Sequence, residues 1–291
     1  MKKNILILTS IILLLMSGCM STKVNIEPRE TITEEVVVIE SDGIQIPGIL
    51  TLPKGESPVA VVIMEHGTGS NKDEAGDGYK MLAPKLAEEG IASYRFDFPG
   101  SGDSKASYLL YTNEEAIRET QAVADYLGEM DEIDASRIGL LGWSQGGTDV
   151  LLAASGNDTY KSVATWAGAL IIGDMASEEM RAEADKTGQT QMEFGWRDPL
   201  PLSKEWIDQA DNMDVLEYAS KIKAPIGSFH GTEDNTVPFS DSEKVQKLST
   251  NEMSKLIPIE GADHTYLIFT GDLTKYYELR DKTVDWFVET L

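Results

Sequence analysis

The stretch Gly142-Trp143-Ser144-Gln145-Gly146 decides the fold of this chain. It follows an apolar run at residues 137–141 and precedes a helix-forming stretch, which is the spacing of a strand, a sharp turn and a helix. Glycine stands two residues before and after the serine because a side chain at either place would collide with neighbouring backbone. The pattern predicts a serine nucleophile at the end of a strand, with the N–H of Gln145 at a helix N-terminus, where negative charge is stabilised.

Apolar runs alternate with helix-like stretches along the rest of the chain. The predicted strands are residues 36–39, 44–52, 59–64, 92–98, 137–142, 163–167, 225–229 and 255–259. The predicted helices are residues 79–89, 114–130, 145–154, 241–248 and 273–291. This alternation predicts an α/β fold with a mostly parallel eight-stranded sheet and helices on both faces. The turn Ser41-Asp42-Gly43 predicts an antiparallel hairpin before it.

The alternation stops between about residues 170 and 223, in a segment rich in Asp, Glu, Met and Trp. So long a gap inside a compact domain is usually functional, and we predict a helical cap insertion over the active site. Its residues Phe194, Trp196 and Trp206, with Trp143 beside the serine, are candidates for a substrate pocket that takes an apolar or aromatic group. Packing of the cap onto the core accounts for the cap aromatics equally well.

The first residues have the pattern of an export signal. Lys2 and Lys3 precede an apolar run at residues 5–16 that is too short to span a bilayer, and Ser17-Gly18-Cys19 follows. Because the cysteine directly follows two small residues, the segment resembles a bacterial lipobox, with Met16 where leucine is preferred. It predicts a lipoprotein signal peptide at 1–18, a tether at 19–35 and a folded domain at 36–291. The protein would be exported and anchored through lipid on Cys19 to the extracytoplasmic side of the bacterial membrane.

Composition limits the partners and cofactors. The 291 residues carry a formal charge of −24, which repels nucleic acid and makes polyanionic substrates poor candidates, although a solvated acidic surface accounts for the charge as well. The three histidines are dispersed and the one cysteine is at the predicted anchor, so no metal site is predicted. No phosphate-binding glycine loop is completed after Gly67, and no cofactor is expected. The sequence does not determine the oligomeric state.

A serine nucleophile needs a base, and His264 is the best of the three histidines. It lies in a loop after the last predicted strand, whereas His66 and His230 adjoin glycines at strand ends and are expected to orient backbone turns. Asp234, in the loop after the preceding strand, is the predicted acid that holds the imidazole. The order Ser144, Asp234, His264 is that of this elbow class. Glu233 and Asp263 remain competing acids.

The predicted strand at 59–64 runs into Glu65-His66-Gly67-Thr68-Gly69. Glycines at its end let the backbone turn an N–H toward the serine. We therefore predict that the N–H groups of Thr68 and Gln145 form the oxyanion hole.

With these residues in place, the chain resembles the α/β-hydrolases over about residues 36–291, and most of all the bacterial cinnamoyl and feruloyl esterases and their dienelactone-hydrolase-like relatives. The matching segments are residues 66–67, 95–104, 144–147, 230–238 and 263–264. Thr68 departs from the aromatic residue common in those esterases, and Trp143 from their histidine. The resemblance implies a serine esterase that cleaves a small-molecule carboxylic ester. A peptidase on the same fold and a non-catalytic binding lipoprotein are the alternatives.

Overall fold

The computed structural model describes residues 32–55 and 57–291. The strands in this part of the chain are β1 (Ile32–Ser41), β2 (Ile44–Pro53), β3 (Val59–Glu65), β4 (Ala92–Phe96), β5 (Ile133–Trp143), β6 (Tyr160–Trp166), β7 (Gln189–Met192), β8 (Leu200–Ser203), β9 (Ile226–Gly231) and β10 (Lys255–Ile259). The helices are α1 (Gly78–Glu88), α2 (Asn113–Gly128), α3 (Gln145–Ala154), α4 (Glu178–Thr187), α5 (Lys204–Asn212), α6 (Val215–Ala219), α7 (Phe239–Leu248) and α8 (Thr274–Thr290).

Eight strands form the main sheet in the order β1-β2-β4-β3-β5-β6-β9-β10. The pairs β1–β2 and β2–β4 are antiparallel, and every other pair in this sheet is parallel. The predicted α/β-hydrolase fold is confirmed. Because β3, β5, β9 and β10 run in one direction, the loops that follow them emerge at the same edge of the sheet. That edge is where the elbow and the predicted acid and base are brought together.

The domain begins earlier than the sequence predicted. Strand β1 starts at Ile32, so residues 32–35, predicted as the end of the tether, are paired with residues 50–53 of β2. Their charged side chains obscured the strand. Glu34 and Glu35 point to opposite faces of the sheet, and both are exposed because β1 is an edge strand. The predicted signal peptide, Cys19 and the rest of the tether lie outside the described residues.

Apolar side chains cover both faces of the sheet, and β3 shows how. Val61 and Ile63 pack with α2 and α3 on one face, whereas Val62 and Met64 pack with α1 and α8 on the other. All four are fully buried, so this central strand is an unbroken apolar run rather than an alternating one. In the described part of the chain, none of the helices combines the length and the apolar character needed to cross a bilayer.

The insertion between β6 and β9 contains α4, β7, β8, α5 and α6. The sequence analysis predicted a helical insertion. The insertion also contains strands, because β7 and β8 form a separate antiparallel pair. Four alternate residues of this pair, Thr190, Met192, Leu200 and Leu202, are buried. Each strand is only four residues long, too short for a period of two to stand out in the sequence.

Three fully buried acids lie together beneath the sheet edge that carries the elbow: Glu65 at the end of β3, Glu119 on α2 and Asp149 on α3. Glu65 accepts a hydrogen bond from Thr120 at 2.7 Å and Asp149 one from Tyr111 at 2.5 Å. Glu119 has no hydrogen-bond partner among the described residues. Burial raises the pKa of Glu119 to about 9 and that of Asp149 to about 7, and burial with the nearby Asp149 raises the pKa of Glu65. The core therefore favours the protonated form of these carboxyls.

Candidate active site

Ser144 sits in the sharp turn between β5 and α3, with φ 55° and ψ −116°. A residue other than glycine in such a conformation costs about 1–3 kcal/mol and is typical of active sites. A Cβ on Gly142 would lie 2.0 Å from the carbonyl oxygen of Gly146, and one on Gly146 would lie 2.1 Å from that of Glu65. The turn therefore requires glycine at both positions, for the reason that the sequence suggested.

The structure brings together Ser144, His264 and Asp234. Asp234 follows β9 and His264 follows β10, and these two strands are parallel neighbours. His264 Nε2 lies 3.1 Å from Ser144 Oγ, and His264 Nδ1 lies 2.7 Å from Asp234 Oδ2. Because the carboxylate oxygen can only accept, Nδ1 carries the ring hydrogen and Nε2 is free to accept from the serine hydroxyl. The three side chains have the contacts of a nucleophile, a base and an orienting acid.

Asp234 is held by donors on both oxygens. Its Oδ1 accepts from the N–H groups of Thr236 at 2.7 Å and Val237 at 2.9 Å. Burial opposes its ionisation, but the hydrogen bonds from His230 and His264 outweigh burial and hold the pKa of the Asp234 carboxyl below its usual value. The carboxylate is therefore charged at neutral pH.

His230 makes a contact at the site that the sequence did not predict. Its Nε2 lies 3.1 Å from the carbonyl oxygen of Val237 and 3.3 Å from Asp234 Oδ2, so this nitrogen carries the hydrogen. Its Nδ1 lies 2.7 Å from Ser242 Oγ on α7. His230 was expected to orient a backbone turn; it also contacts the acid of the site. The segment from His230 to Pro238 contained both residues, but only the fold shows that they touch.

Trp143 also supports the base. Its ring Nε1–H donates to the backbone carbonyl of His264 at 3.2 Å, and its side chain is buried against Trp166 and Tyr266. Asp263, one of the competing acids, accepts from the N–H groups of Thr265 and Leu267 and so shapes the loop around His264. The other, Glu233, is exposed beside the loop. The ring of His264 is bonded to Asp234 instead.

The predicted oxyanion loop lies against the elbow. Thr68 Oγ1 donates to the side-chain amide oxygen of Gln145, so the two predicted donor residues are neighbours. The carbonyl of Gly67 is 2.9 Å from His66 Nδ1 and accepts from the N–H of Ser70 at 3.1 Å. That carbonyl and the N–H of Thr68 belong to one peptide plane and point in opposite directions. Holding the carbonyl therefore fixes the direction of the Thr68 N–H.

A cavity of about 980 Å³ opens over the serine. It is lined by Gly67, Thr68, Ser70, Glu74, Ala75, Trp143, Ser144, Met175, Phe194, Trp196, Asn235, Thr236, Asp263, His264, Thr265 and Phe269. The insertion supplies one wall of the cavity. Trp196 and Phe269 lie at the rim of the cavity and are 67% and 69% exposed. Met175 and Phe269 were missed, because nothing in their local sequence distinguishes them from other loop residues.

Trp206 does not line this cavity, contrary to the sequence-based hypothesis. It lies on α5 and is fully buried in the core cluster that includes β8 and α2 residues. Its indole faces inward because α5 packs its apolar side against the domain, so Trp206 holds the insertion in place.

Arg197 connects the insertion to the oxyanion loop. Its guanidinium donates to the carbonyl of Gly69 and lies 5.9 Å from the ring centre of Phe194. The insertion is thus in direct contact with the residue that follows Thr68.

Across residues 32–55 and 57–291, no group of three His, Cys, Asp or Glu side chains is arranged to hold a metal ion.

The chain is similar to several known proteins. The sequence pattern of the prolyl oligopeptidase family matches residues 81–291. The uncharacterized protein YfhR of Salmonella typhi is 26% identical over 271 residues, covering 90% of this chain and 84% of that protein. The 2,6-dihydropseudooxynicotine hydrolase of Paenarthrobacter nicotinovorans is 27% identical over 237 residues, covering 77% of this chain and 57% of its own length. The structure of Est1E from Butyrivibrio proteoclasticus with bound ferulic acid shares the fold, with a TM-score of 0.73, 22% identity, and coverage of 87% of this chain and 98% of that one.

Proposed function

This chain is a hydrolase of the prolyl oligopeptidase family, and we propose that within it the protein cleaves small carboxylic esters through an acyl-enzyme. The observation that carries the proposal is the unbroken series of contacts from Ser144 to His264 to Asp234, at 3.1 and 2.7 Å. Such a series turns a hydroxyl into a nucleophile, because the base accepts its proton as the bond to carbon forms.

The proposed reaction has two halves. Ser144 Oγ attacks the ester carbonyl while its proton passes to His264 Nε2, and the alcohol leaves with that proton. Water then attacks the acyl-enzyme with the same histidine as base, and the acid is released. The N–H groups of Thr68 and Gln145 bind the negative oxygen in both halves, and Asp234 stabilises the imidazolium.

The cavity supports a substrate with an apolar or aromatic group. The cavity lining includes three aromatic rings near the serine, those of Phe194, Trp196 and Phe269. Among the described lining residues, the only Asp, Glu, Lys or Arg side chains are the acids Glu74 and Asp263. Est1E was solved with ferulic acid, an aromatic acid, on the same fold. A formal charge of −24 further disfavours polyanionic substrates.

A peptidase is the second candidate, because the matching family takes its name from an oligopeptidase. Amide and ester hydrolysis use the same nucleophile, base and oxyanion donors. Substrate profiling separates them: cleavage of aminoacyl amides with no turnover of esters would replace the esterase proposal.

The decisive experiment labels the protein with a fluorophosphonate and then measures turnover of aryl, acyl and cinnamoyl esters. Wild type is compared with Ser144→Ala and with the matched control Ser155→Ala, which alters a serine at the opposite end of α3. We expect labelling and ester turnover in wild type and control, and loss of both in Ser144→Ala. Ester turnover that survives in Ser144→Ala would refute the proposal.

We also propose that Cys19 carries the lipid anchor. The support is the sequence alone: a charged start, a short apolar run and Ser-Gly before the cysteine. In a bacterial host, wild type should partition into the membrane fraction and incorporate a fatty acid label. Cys19→Ser should lose the label, and a labelled variant would disprove the attachment site.

A further inference from the structure

Glu74 is a buried acid beside the oxyanion loop that the reaction above does not use. It lies between β3 and α1, and only 7% of its surface is exposed. Its Oε1 accepts from the N–H of Gly67 at 3.2 Å, while its Oε2 has no hydrogen-bond partner among the described residues. Burial raises the pKa of Glu74 to about 7, against the nearby polar groups of Ser70, Gly67 and Ala75, which lower it.

Gly67 lies close to the nucleophile, and as a glycine its backbone has no side chain to restrain it. A Cβ there would lie 3.1 Å from the carbonyl oxygen of Trp143 and 3.2 Å from Ser144 Cβ, so the loop passes close to the nucleophile and leaves little room for a side chain. Glycine has the largest conformational freedom of any residue. The direction of the Thr68 N–H therefore depends on contacts made to Gly67 from outside.

Those contacts hold Gly67 on both sides. Its carbonyl is bound by His66 and by the N–H of Ser70, which fixes the peptide plane that it shares with Thr68. Its N–H is bound by Glu74, which fixes the plane before it. With both planes held, the φ and ψ angles of Gly67 are set, and the Thr68 N–H points where they direct it.

The backbone of Glu74 is itself in an unusual conformation. Its φ of 62° and ψ of −178° lie in a region that glycine alone adopts without strain. The N–H of Glu74 donates to the carbonyl of Asn71 at 2.9 Å, and its carbonyl accepts from Asp77 at 3.2 Å. The chain thus keeps a strained non-glycine residue in place, and its side chain reaches the loop beside the nucleophile.

We propose that Glu74 is a positioning residue of the oxyanion hole: by accepting the N–H of Gly67, it aims the N–H of Thr68 at the oxygen of the transition state. The proposal rests on the proposed function, because it assigns the residue to that reaction. Glu74 also lines the cavity, but the role proposed for it is exerted through Gly67. A carboxyl oxygen accepts a hydrogen bond whether the group is ionised or protonated, so the role requires an oxygen at that position and not a charge.

Three substitutions separate the oxygen from the charge. Glu74→Gln keeps an acceptor oxygen at the same distance from the N–H of Gly67. Glu74→Asp keeps the carboxyl group but shortens the side chain by one methylene, which moves its oxygens away from that N–H. Glu74→Met removes the acceptor. Loss of one oxyanion donor lowers kcat by about 10²–10³-fold, so a misdirected donor should cost about 10–100-fold. For a small aryl ester we expect the kcat of Glu74→Gln within about threefold of wild type. Glu74→Asp and Glu74→Met should lose about 10–100-fold in kcat at nearly constant KM.

Glu89 is an exposed residue just after α1. Glu89→Met is the matched control and should keep the kcat of wild type. Wild-type kcat in Glu74→Met, or equal losses in Glu74→Gln and Glu74→Asp, would overturn the proposal. Thermal unfolding shows whether Glu74→Met folds. If it does not, the comparison of kcat between Glu74→Gln and Glu74→Asp decides whether the proposal stands.

The rate constant of fluorophosphonate labelling, measured on the same variants, separates this proposal from the esterase assignment. Phosphonylation of the serine also places a developing negative oxygen in the hole, so the same order of variants is expected even if no ester in the panel is turned over. A wild-type labelling rate in Glu74→Asp refutes the role of Glu74, whereas failure of every ester with the expected labelling order refutes only the esterase.

Discussion

Replacing Glu119 with glutamine should stabilise the protein at neutral pH. The side chain is fully buried on α2, and burial raises its pKa from the ordinary value of 4.5 to about 9. At pH 7 the folded protein therefore holds a proton on this carboxyl that the unfolded chain has released. Glutamine keeps nearly the same shape and has no proton to take up.

The size of the effect follows from that difference in pKa. A carboxyl whose pKa is higher in the folded protein than in the unfolded chain contributes its full stability below the pKa of the unfolded chain. That contribution is lost as the pH rises toward the pKa of the folded protein. Each pH unit above 4.5 costs about 1.4 kcal/mol, so the wild-type carboxyl costs about 3 kcal/mol of unfolding free energy at pH 7. Glu119→Gln should therefore gain on wild type by about 1.4 kcal/mol for each pH unit between pH 5 and 7.

Urea unfolding at several pH values between 5 and 7 measures this gain. The control is Glu129→Gln, an exposed residue just after α2, which should follow the pH dependence of wild type. If the difference between Glu119→Gln and wild type stays constant over this range, Glu119 takes up no proton on folding and the reasoning fails.

Three further outcomes test the site. Asp234→Asn should lower kcat about 10⁴-fold, because an amide favours the wrong tautomer of His264, whereas Glu233→Gln should keep the rate; a mild loss in Asp234→Asn would show that another acid orients the base. Gly146→Ala should lower the unfolding free energy by about 1–3 kcal/mol, because its Cβ would lie 2.1 Å from the carbonyl of Glu65, and an unchanged melting temperature would contradict that contact. Trp196→Ala should raise KM about tenfold for bulky aromatic esters but not for acetates; equal effects on both would remove Trp196 from the substrate site.

The meeting of Ser144, Asp234 and His264 could be predicted because few residue types can serve as nucleophile, acid and base. Only three histidines were available, and a serine flanked by glycines after an apolar run is typical of a nucleophile at a strand-to-helix turn. The strand order then brought the loops after β9 and β10 together, as parallel strands require. This part of the site depends on local pattern and on topology, and both are visible in a sequence.

The supporting residues could not be predicted, because their roles depend on distant contacts. Glu74 is one acid among 49 Asp and Glu residues, and its burial and backbone conformation are set by a loop that folds onto Gly67. His230 stands in a recognisable segment, but its contact with Asp234 depends on how that loop turns back. The hairpin β7–β8 lacked the length to show its period, and Trp206 has the composition of a pocket residue but the position of a core residue.

The contact between Arg197 and the carbonyl of Gly69 has a consequence for redesign and for divergence within the family. An insertion over an active site is often treated as an exchangeable module that alters substrate choice and leaves the catalytic apparatus alone. Here Arg197 of the insertion donates a hydrogen bond to Gly69, the residue after the proposed oxyanion donor Thr68. The insertion and the oxyanion loop therefore cannot vary independently. A transplanted insertion without an arginine at this place would bring a new pocket and a loosened loop together, and its first variants would be slow on every ester until the loop was anchored again.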